Sequence, residues 1–182
     1  MDENNIPETL YAEDSQQPHQ HCMICNVHLH QVANYGIQKI YKNYPHQEKP
    51  QVLFDFALCM PCMEEARAGL SKESRQNMDA FMRSKMLTLA YDGTDPRERY
   101  KKKQCTLSGK ALEESIDYQV IAICTGDQLM ESPLYISGEI LAEIQELLSQ
   151  QSKDELDRFT ENNLGWPPEL KALIKQGDWL PL

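Results

Sequence analysis

Four of the six cysteines of this chain form two C-x-x-C pairs, Cys22/Cys25 and Cys59/Cys62. A C-x-x-C turn brings two thiolates close enough to chelate one ion, and two such turns supply the four ligands that Zn²⁺ accepts in a tetrahedron. The spacing therefore predicts one Zn²⁺ per chain, held by all four of these cysteines. A shell closed by four cysteines has no open position for water, which favours a structural role over a catalytic one.

The second pair also fits a redox role. An apolar stretch, VLFDFAL, precedes Cys59, and a helical pattern follows Cys62. This order of strand, dithiol and helix resembles a thioredoxin-like dithiol–disulfide oxidoreductase, which needs an accessible thiolate of low pKa at the start of a helix. The rest of the chain departs from that family. Another C-x-x-C pair stands where such a domain has a strand and helix, and no proline occurs near Lys103 to face the dithiol.

Histidines surround the first pair: His19, His21, His28 and His30. Imidazole is a zinc ligand, so one of them could replace a cysteine, and together they could bind a second ion. His21 is the first candidate for the metal shell because it adjoins Cys22. The simpler interpretation places these side chains at the surface around the site.

No other catalytic motif accompanies the cysteines. The sequence contains no H-E-x-x-H, no G-x-S-x-G and no phosphate-binding loop with lysine. It therefore favours a protein that is not an enzyme and has no small-molecule substrate. A binding role follows by elimination, and the expected partner is another protein.

The net charge and the hydropathy of the sequence limit the kinds of partner and the cellular compartment that we expect. The net charge of -10 disfavours a nucleic-acid partner. The basic run RERYKKK, residues 97–103, nevertheless keeps nucleic-acid binding as a second alternative. No apolar run approaches the roughly 20 residues that span a bilayer, and the N-terminus is acidic and polar. These features predict a cytoplasmic protein without a membrane partner.

The sequence also matches itself. Cys22 aligns with Cys105 and Tyr35 with Tyr118 at an offset of 83 residues, and Ser71 aligns with Ser149 at an offset of 78. Two matching segments in the same order indicate an internal duplication. The other three cysteines of the pairs do not recur. Their places in the second copy are taken by Ser108, Ser137 and Ile140.

Each copy has the order of a hairpin followed by a helix. Aromatic and β-branched residues predict strands over 34–44, 51–58, 115–124 and 129–136, with Pro133 marking an edge or a bulge. A helix should follow each hairpin, capped by Cys59 and by Ser137. A second helix should begin near Ser71 and near Ser149, and S-K-D-E at Ser152 has the pattern of a capping box.

The order of knuckle, hairpin, knuckle and helix resembles treble-clef zinc fingers over residues 22–70 and, without the metal ligands, over 105–148. The fold class predicted is α+β, with two tandem hairpin-plus-helix modules (treble-clef or zinc-ribbon-like) packed pseudo-symmetrically. The predicted divisions are a disordered tail (1–18), a zinc-binding module (19–90), a basic linker (91–104), a metal-free module (105–164) and a C-terminal helix and tail (165–182).

Overall fold

A computed structural model describes residues 5–165 of the chain. These residues form a mixed α+β structure with an antiparallel sheet and five α-helices. The strands are β1 (Tyr35–Lys42), β2 (Gln51–Cys59), β3 (Asp117–Thr125), β4 (Gln128–Leu129) and β5 (Leu134–Ser137). The helices are α1 (Met60–Ala68), α2 (Lys72–Tyr91), α3 (Pro96–Lys101), α4 (Gly138–Glu146) and α5 (Gln150–Asn163). Of the C-terminal helix and tail predicted over 165–182, residues 166–182 lie outside the described residues.

The sheet joins the two predicted hairpins through β1 and β3. Its order is β2-β1-β3, and β4 and β5 both pair with β3. Tyr35 lies opposite Cys124 and Tyr41 opposite Tyr118. At the sequence offset of 83 residues, Tyr35 corresponds to Tyr118 and Tyr41 corresponds to Cys124. Swapping the two copies therefore turns each of these pairings into the other. A two-fold relation between the hairpins requires this register.

The second hairpin differs from the predicted one in its outer strand. Where the sequence predicts one strand over 129–136, the structure has the two short strands β4 and β5. Pro133 lies in the gap between them. Proline has no backbone N–H to give to a sheet ladder, so the pairing stops there and resumes at Leu134.

Residues at the helix starts follow the sequence signals with one exception. Cys59 and Ser137 are the N-caps of α1 and α4, as predicted, and each of these helices is nine residues long. The N-cap of α5 is Ser149, whose hydroxyl accepts a hydrogen bond from the Ser152 N–H. The capping box predicted at Ser152 is therefore wrong, because that residue already lies inside the helix. A serine three residues before it caps the helix instead.

The N-termini of α2 and α5 meet and cap one another. The Ser71 N–H donates to the Ser152 hydroxyl and the Ser149 N–H donates to the Ser74 hydroxyl, both at 2.9 Å. Ser74 and Ser152 are fully buried. Buried hydroxyls and N–H groups cost free energy unless they are paired, so this cluster fixes how the two helices meet.

The two halves of the chain also share their cores. Leu70 and Met78, from the first half, pack in the cluster of buried side chains around Ile140 and Ile144 of α4. In return, Leu164 at the end of α5 belongs to the cluster around the first cysteine pair. Each half therefore buries apolar surface of the other, and the sheet runs through both.

The predicted disordered tail differs from the structure. Ile6 and Leu10 lie in the first core, with Leu10 only 1% exposed. The buried Lys39 ammonium donates to the Tyr11 carbonyl at 2.8 Å and pairs with Glu13 at 3.3 Å. Ile6 and Leu10 thus anchor an otherwise polar segment to the first core. Residues 5–18 are thus part of the packed structure.

The predicted basic linker contains α3. Asp95 caps this helix by accepting a hydrogen bond from the Arg97 N–H. Tyr100 stacks on Tyr135 with ring centroids 5.0 Å apart, and Arg99 donates to the Thr106 carbonyl at 2.6 Å. The connection between the halves is therefore held against the sheet. Within residues 5–165, no helix is both long and apolar enough to cross a membrane.

Candidate metal centre

The four sulfurs of the two C-x-x-C pairs converge. The Sγ atoms of Cys22, Cys25, Cys59 and Cys62 all lie within 4.8 Å of one another. The Cys25 and Cys59 sulfurs are 3.6 Å apart. Sulfurs bonded at about 2.3 Å to a tetrahedral Zn²⁺ are about 3.8 Å apart. The cluster therefore has the donor type and the size that a four-thiolate zinc site needs.

A tight turn presents the first pair. The Cys22 N–H donates to the Val27 carbonyl and the Asn26 N–H donates to the Cys22 carbonyl, both at 2.9 Å. Asn26 has a φ of 58°, a left-handed conformation that asparagine tolerates better than most residues. The turn is attached to β2 because the Met23 N–H donates to the Ala57 carbonyl at 2.9 Å. Two residues further along β2 is Cys59.

The second pair spans the junction between β2 and α1. Cys59 ends the strand and caps the helix, Pro61 lies in the first turn, and Cys62 follows in the same turn. Proline suits this position because its missing N–H would have no helical partner there. The unpaired N–H groups and the positive end of the helix dipole stabilise negative charge, which favours thiolates at this end.

Burial and hydrogen bonding act in opposite directions on these thiols. Burial raises the pKa of Cys22, but backbone N–H groups of Cys25, Cys59 and Ile24 outweigh it and lower the pKa to about 7. Burial raises the pKa of Cys59 and of Cys62 above the ordinary value. Since a metal binds the thiolate, binding here would displace protons from Cys59 and Cys62.

The same shifts weigh against the thioredoxin-like alternative. Such a centre needs an exposed thiolate of low pKa, whereas Cys59 is 2% exposed and its pKa is raised by burial. All strand pairs of the described sheet are antiparallel. All six cysteines are free thiols.

The second half repeats the backbone of the first turn and keeps one of its two cysteines, Cys105. The Cys105 N–H donates to the Lys110 carbonyl and the Gly109 N–H to the Cys105 carbonyl, both at 2.8 Å. Gly109 has a φ of 77°, at the position of Asn26 in the first half. The Cys105 sulfur accepts a hydrogen bond from the Ser137 N–H at 3.4 Å. A hydrogen bond thus joins the turn to the helix start at this end of the sheet.

The flanking histidines are outside the sulfur cluster. The possible metal ligands that cluster within residues 5–165 are the four cysteines alone, so His21 is not among them. His19 instead pairs with Asp55 at 3.3 Å. Sequence analysis missed a further pair, His30 with Asp127 at 3.2 Å. These partners are far apart in the chain, and no local pattern connects them.

The basic run lies beside a cleft of mixed charge. Lys102 and Lys103 line a cavity of about 750 Å³ together with Tyr41, Tyr118 and Tyr135. The other charged lining residues are carboxylates: Glu48, Glu113 and Glu114. The walls of this cavity therefore carry charges of both signs.

Comparison with models of known protein families, with curated proteins and with solved structures found no match. The fold and the site by themselves define the class. The chain is a mixed α+β protein with an antiparallel sheet and a four-cysteine cluster compatible with a structural metal site.

Proposed function

We propose that this is a non-catalytic zinc-binding protein in which Cys22, Cys25, Cys59 and Cys62 hold one structural Zn²⁺. The convergence of their four sulfurs within 4.8 Å carries the proposal. The distances suit tetrahedral thiolate coordination, and three of the cysteines are buried where bulk water does not compete. The ion fastens the first turn to the start of α1.

The test is metal content together with a thiol count on the purified, tag-free chain. We expect one zinc per chain, and four additional reactive thiols once a chelator removes it. Cys62→Ser should reduce the zinc content at least tenfold, because it removes a buried ligand. Cys124→Ser is the matched control, since Cys124 is buried in β3 and is not one of the clustered cysteines. Metal-free protein that cycles between dithiol and disulfide would instead favour the oxidoreductase.

We further propose that the chain is a duplicated treble-clef module, 19–90 and 105–164, whose second copy has lost its metal. Three features support this proposal. The β1–β3 register is the one that a two-fold relation requires, the turns at Cys22 and Cys105 have equivalent hydrogen bonds, and α1 and α4 are equal in length. Residues 91–104 would connect the copies.

Restoring the missing ligands tests the duplication. The triple substitution Ser108→Cys, Ser137→Cys and Ile140→Cys, with native Cys105, should raise the zinc content from one to two per chain. The control is the same triple substitution in a chain with Cys105→Ala, which should bind the second zinc at least tenfold more weakly. A triple variant that folds, as judged by circular dichroism, and still binds one zinc would contradict the equivalence of the two sites.

The proposed role of the module is to bind another protein. The C-terminal half of α2 supports this, because Leu87 is 64% exposed and Tyr91, one turn later, is 92% exposed. Adjacent exposed apolar side chains are typical of interaction surfaces. Cross-linking followed by mass spectrometry should recover partners at least tenfold less well with Leu87→Glu/Tyr91→Glu. Ile116→Glu, at another exposed apolar residue, is the control. Equal recovery by all variants would exclude this face of α2.

A further inference from the structure

We propose that the cleft between the β1–β2 turn and the segment before β3 binds one arginine or lysine side chain from an extended segment of a partner protein. Its volume of about 750 Å³ is within the range of ligand sites. We call it the tyrosine cleft, because its walls include Tyr41, Tyr44, Tyr118 and Tyr135. Its lining residues include none of the four clustered cysteines and no residue of α2. The site therefore stands apart from the metal centre and from the α2 surface.

Three carboxylates of the tyrosine cleft are available to a cation. Glu48 comes from the β1–β2 turn, and Glu113 and Glu114 come from the segment before β3. None of these carboxylates makes an ion pair or a hydrogen bond within residues 5–165. The ammonium groups of Lys102 and Lys103, which line the same cleft, are also unpaired there. The lysines therefore do not neutralise the carboxylates, and a cation from outside can pair with them.

A buried hydroxyl in the tyrosine cleft also lacks a partner. Tyr118 is 7% exposed, and its hydroxyl makes no hydrogen bond with another described residue. A buried polar group without a partner costs free energy, so such a group in the wall of a ligand-sized cleft points to a polar ligand. Burial raises the pKa of Tyr118 to about 12. The hydroxyl is therefore neutral at pH 7, and its oxygen can accept a hydrogen bond from a cation.

The aromatic rings of the cleft favour a cation over an anion. Tyr41 stacks on Tyr118 with ring centroids 4.9 Å apart, and Tyr135 meets Tyr118 edge to face at 5.9 Å. These rings form one aromatic wall, and the negative face of a tyrosine ring attracts guanidinium and ammonium groups. Tyr44 already makes such a contact, since the Lys42 Nζ lies 5.5 Å from its ring centroid.

The turn between β3 and β4 provides an internal comparison. There the Asp127 carboxylate lies 3.2 Å from the His30 Nε2, so an acidic group and a basic group join the turn to the neighbouring loop. At the offset of 83 residues, His30 corresponds to Glu113. The β1–β2 turn beside Glu113 contributes Glu48 to the cleft, so both segments supply carboxylates. A cationic side chain from a partner would provide the basic group that this end of the sheet lacks.

The size and the charge of the cleft define the segment that fits. A volume of about 750 Å³ exceeds that of one side chain, so the cleft also accommodates the residues on either side of it. Lys102 and Lys103 repel additional positive charge. A segment with a single basic residue therefore fits better than a run of basic residues.

The experiment is an NMR titration of the zinc-loaded, tag-free chain with the blocked pentapeptide Gly-Ala-Arg-Ala-Gly. One anchoring side chain should give saturable binding with a Kd of about 1 mM. The same peptide with lysine should bind within about threefold of this value, because both side chains carry one positive charge. Citrulline has nearly the shape of arginine but no charge, so the citrulline peptide should bind about tenfold more weakly.

Substitutions in the cleft should act according to the sign of the charge that they remove. Glu113→Gln/Glu114→Gln should weaken binding of the arginine peptide about fivefold, and Tyr118→Phe about threefold. Lys102→Ala/Lys103→Ala should strengthen it about twofold. Glu64→Gln/Glu65→Gln is the matched control, since these adjacent glutamates are exposed on α1 and do not line the cleft. This control should leave binding unchanged.

Four results would overturn the site. The first is no saturable shift at peptide concentrations up to about 10 mM. The second is equal binding of the arginine and citrulline peptides. The third is equal weakening by the two glutamine pairs, which would indicate attraction to the net charge of -10 and no specific cleft. The fourth is tighter binding of the peptide with glutamate in place of arginine, which would make the lysines the binding groups. Zinc content and partner recovery through α2 report separately on the other proposals.

Discussion

Gly138 begins α4 directly beside the side chain of Asp117, and Gly138→Ala tests how tightly the two are packed. A Cβ at this position would lie 2.1 Å from the Asp117 carboxylate oxygen and 3.1 Å from its Cγ. Asp117 is 5% exposed and begins β3, where its backbone pairs with Lys42. The backbone cannot yield without breaking the sheet, so the carboxylate would have to rotate away from the first turn of α4.

The expected loss combines three effects. Overpacking in a filled interior costs about 1–3 kcal/mol. Moving a carboxylate away from a helix N-terminus costs about 0.3–1 kcal/mol. The higher helix propensity of alanine returns at most about 1 kcal/mol, and less in the first turn. The net destabilisation should be about 2 kcal/mol, which for a chain of this size lowers Tm by about 4–8 °C.

Urea unfolding and calorimetry of the zinc-loaded protein measure this loss, and Gly69→Ala is the matched control. A Cβ at Gly69 would meet its nearest atoms at 3.5 and 3.7 Å, ordinary contact distances. Gly69 also ends a helix with a φ of -66°, so alanine there should be neutral or slightly stabilising. In an Asp117→Ala background, the loss caused by Gly138→Ala should disappear. Equal stability of the two alanine variants, or the same loss without Asp117, would refute the argument.

Three further predictions concern the caps, the charges and the metal. Ser149→Ala should destabilise the protein by about 1–2 kcal/mol in urea unfolding, because the hydroxyl caps the Ser152 N–H and joins the buried serine cluster; an unchanged midpoint would contradict this. Burial raises the pKa of Asp55, but hydrogen bonding from His19 contributes to a net lowering. The stability from Asp55 is therefore present above its unfolded pKa of about 3.9 and lost as the pH falls through its lower folded pKa, so in urea unfolding Asp55→Asn should destabilise the protein at pH 7 and lose this effect as the pH falls below that folded pKa. Removing the metal should speed hydrogen exchange over residues 20–31 while α4 keeps its protection; uniform loss of protection would contradict a local role for the ion.

Local sequence signals accounted for much of the fold. The strands of the first hairpin and the caps at Cys59 and Ser137 follow from residue types acting over a few positions, and the structure has them as predicted. The four cysteines could be grouped because C-x-x-C geometry is also local and two pairs suffice for one ion. The offset of the repeat then located the second hairpin and the start of α5.

Features that depend on distant partners could not be predicted in this way. The packing of Ile6 and Leu10 requires a sheet that forms from residues far along the chain. The mutual capping of α2 and α5 depends on serines far apart in the chain, since the Ser149 N–H donates to the Ser74 hydroxyl. No local sequence pattern indicates that Leu70 packs in the core of the second half and Leu164 in the core of the first. In each case, tertiary contacts decided between choices that the local sequence left equivalent.

If the chain is duplicated as we propose, the shared sheet accounts for the loss of three ligands from the second half. An isolated zinc finger unfolds without its metal because its own core is too small to offset the entropy of folding. In this chain the second half has β1 as a neighbour for β3, takes Leu70 and Met78 into its core, and receives caps for α5 from α2. The hydrogen bond from the Ser137 N–H to the Cys105 sulfur therefore joins two segments that packing already holds in place. The first half, in contrast, has three buried thiols gathered at a helix start, an arrangement for which its packing supplies no partner as good as a metal.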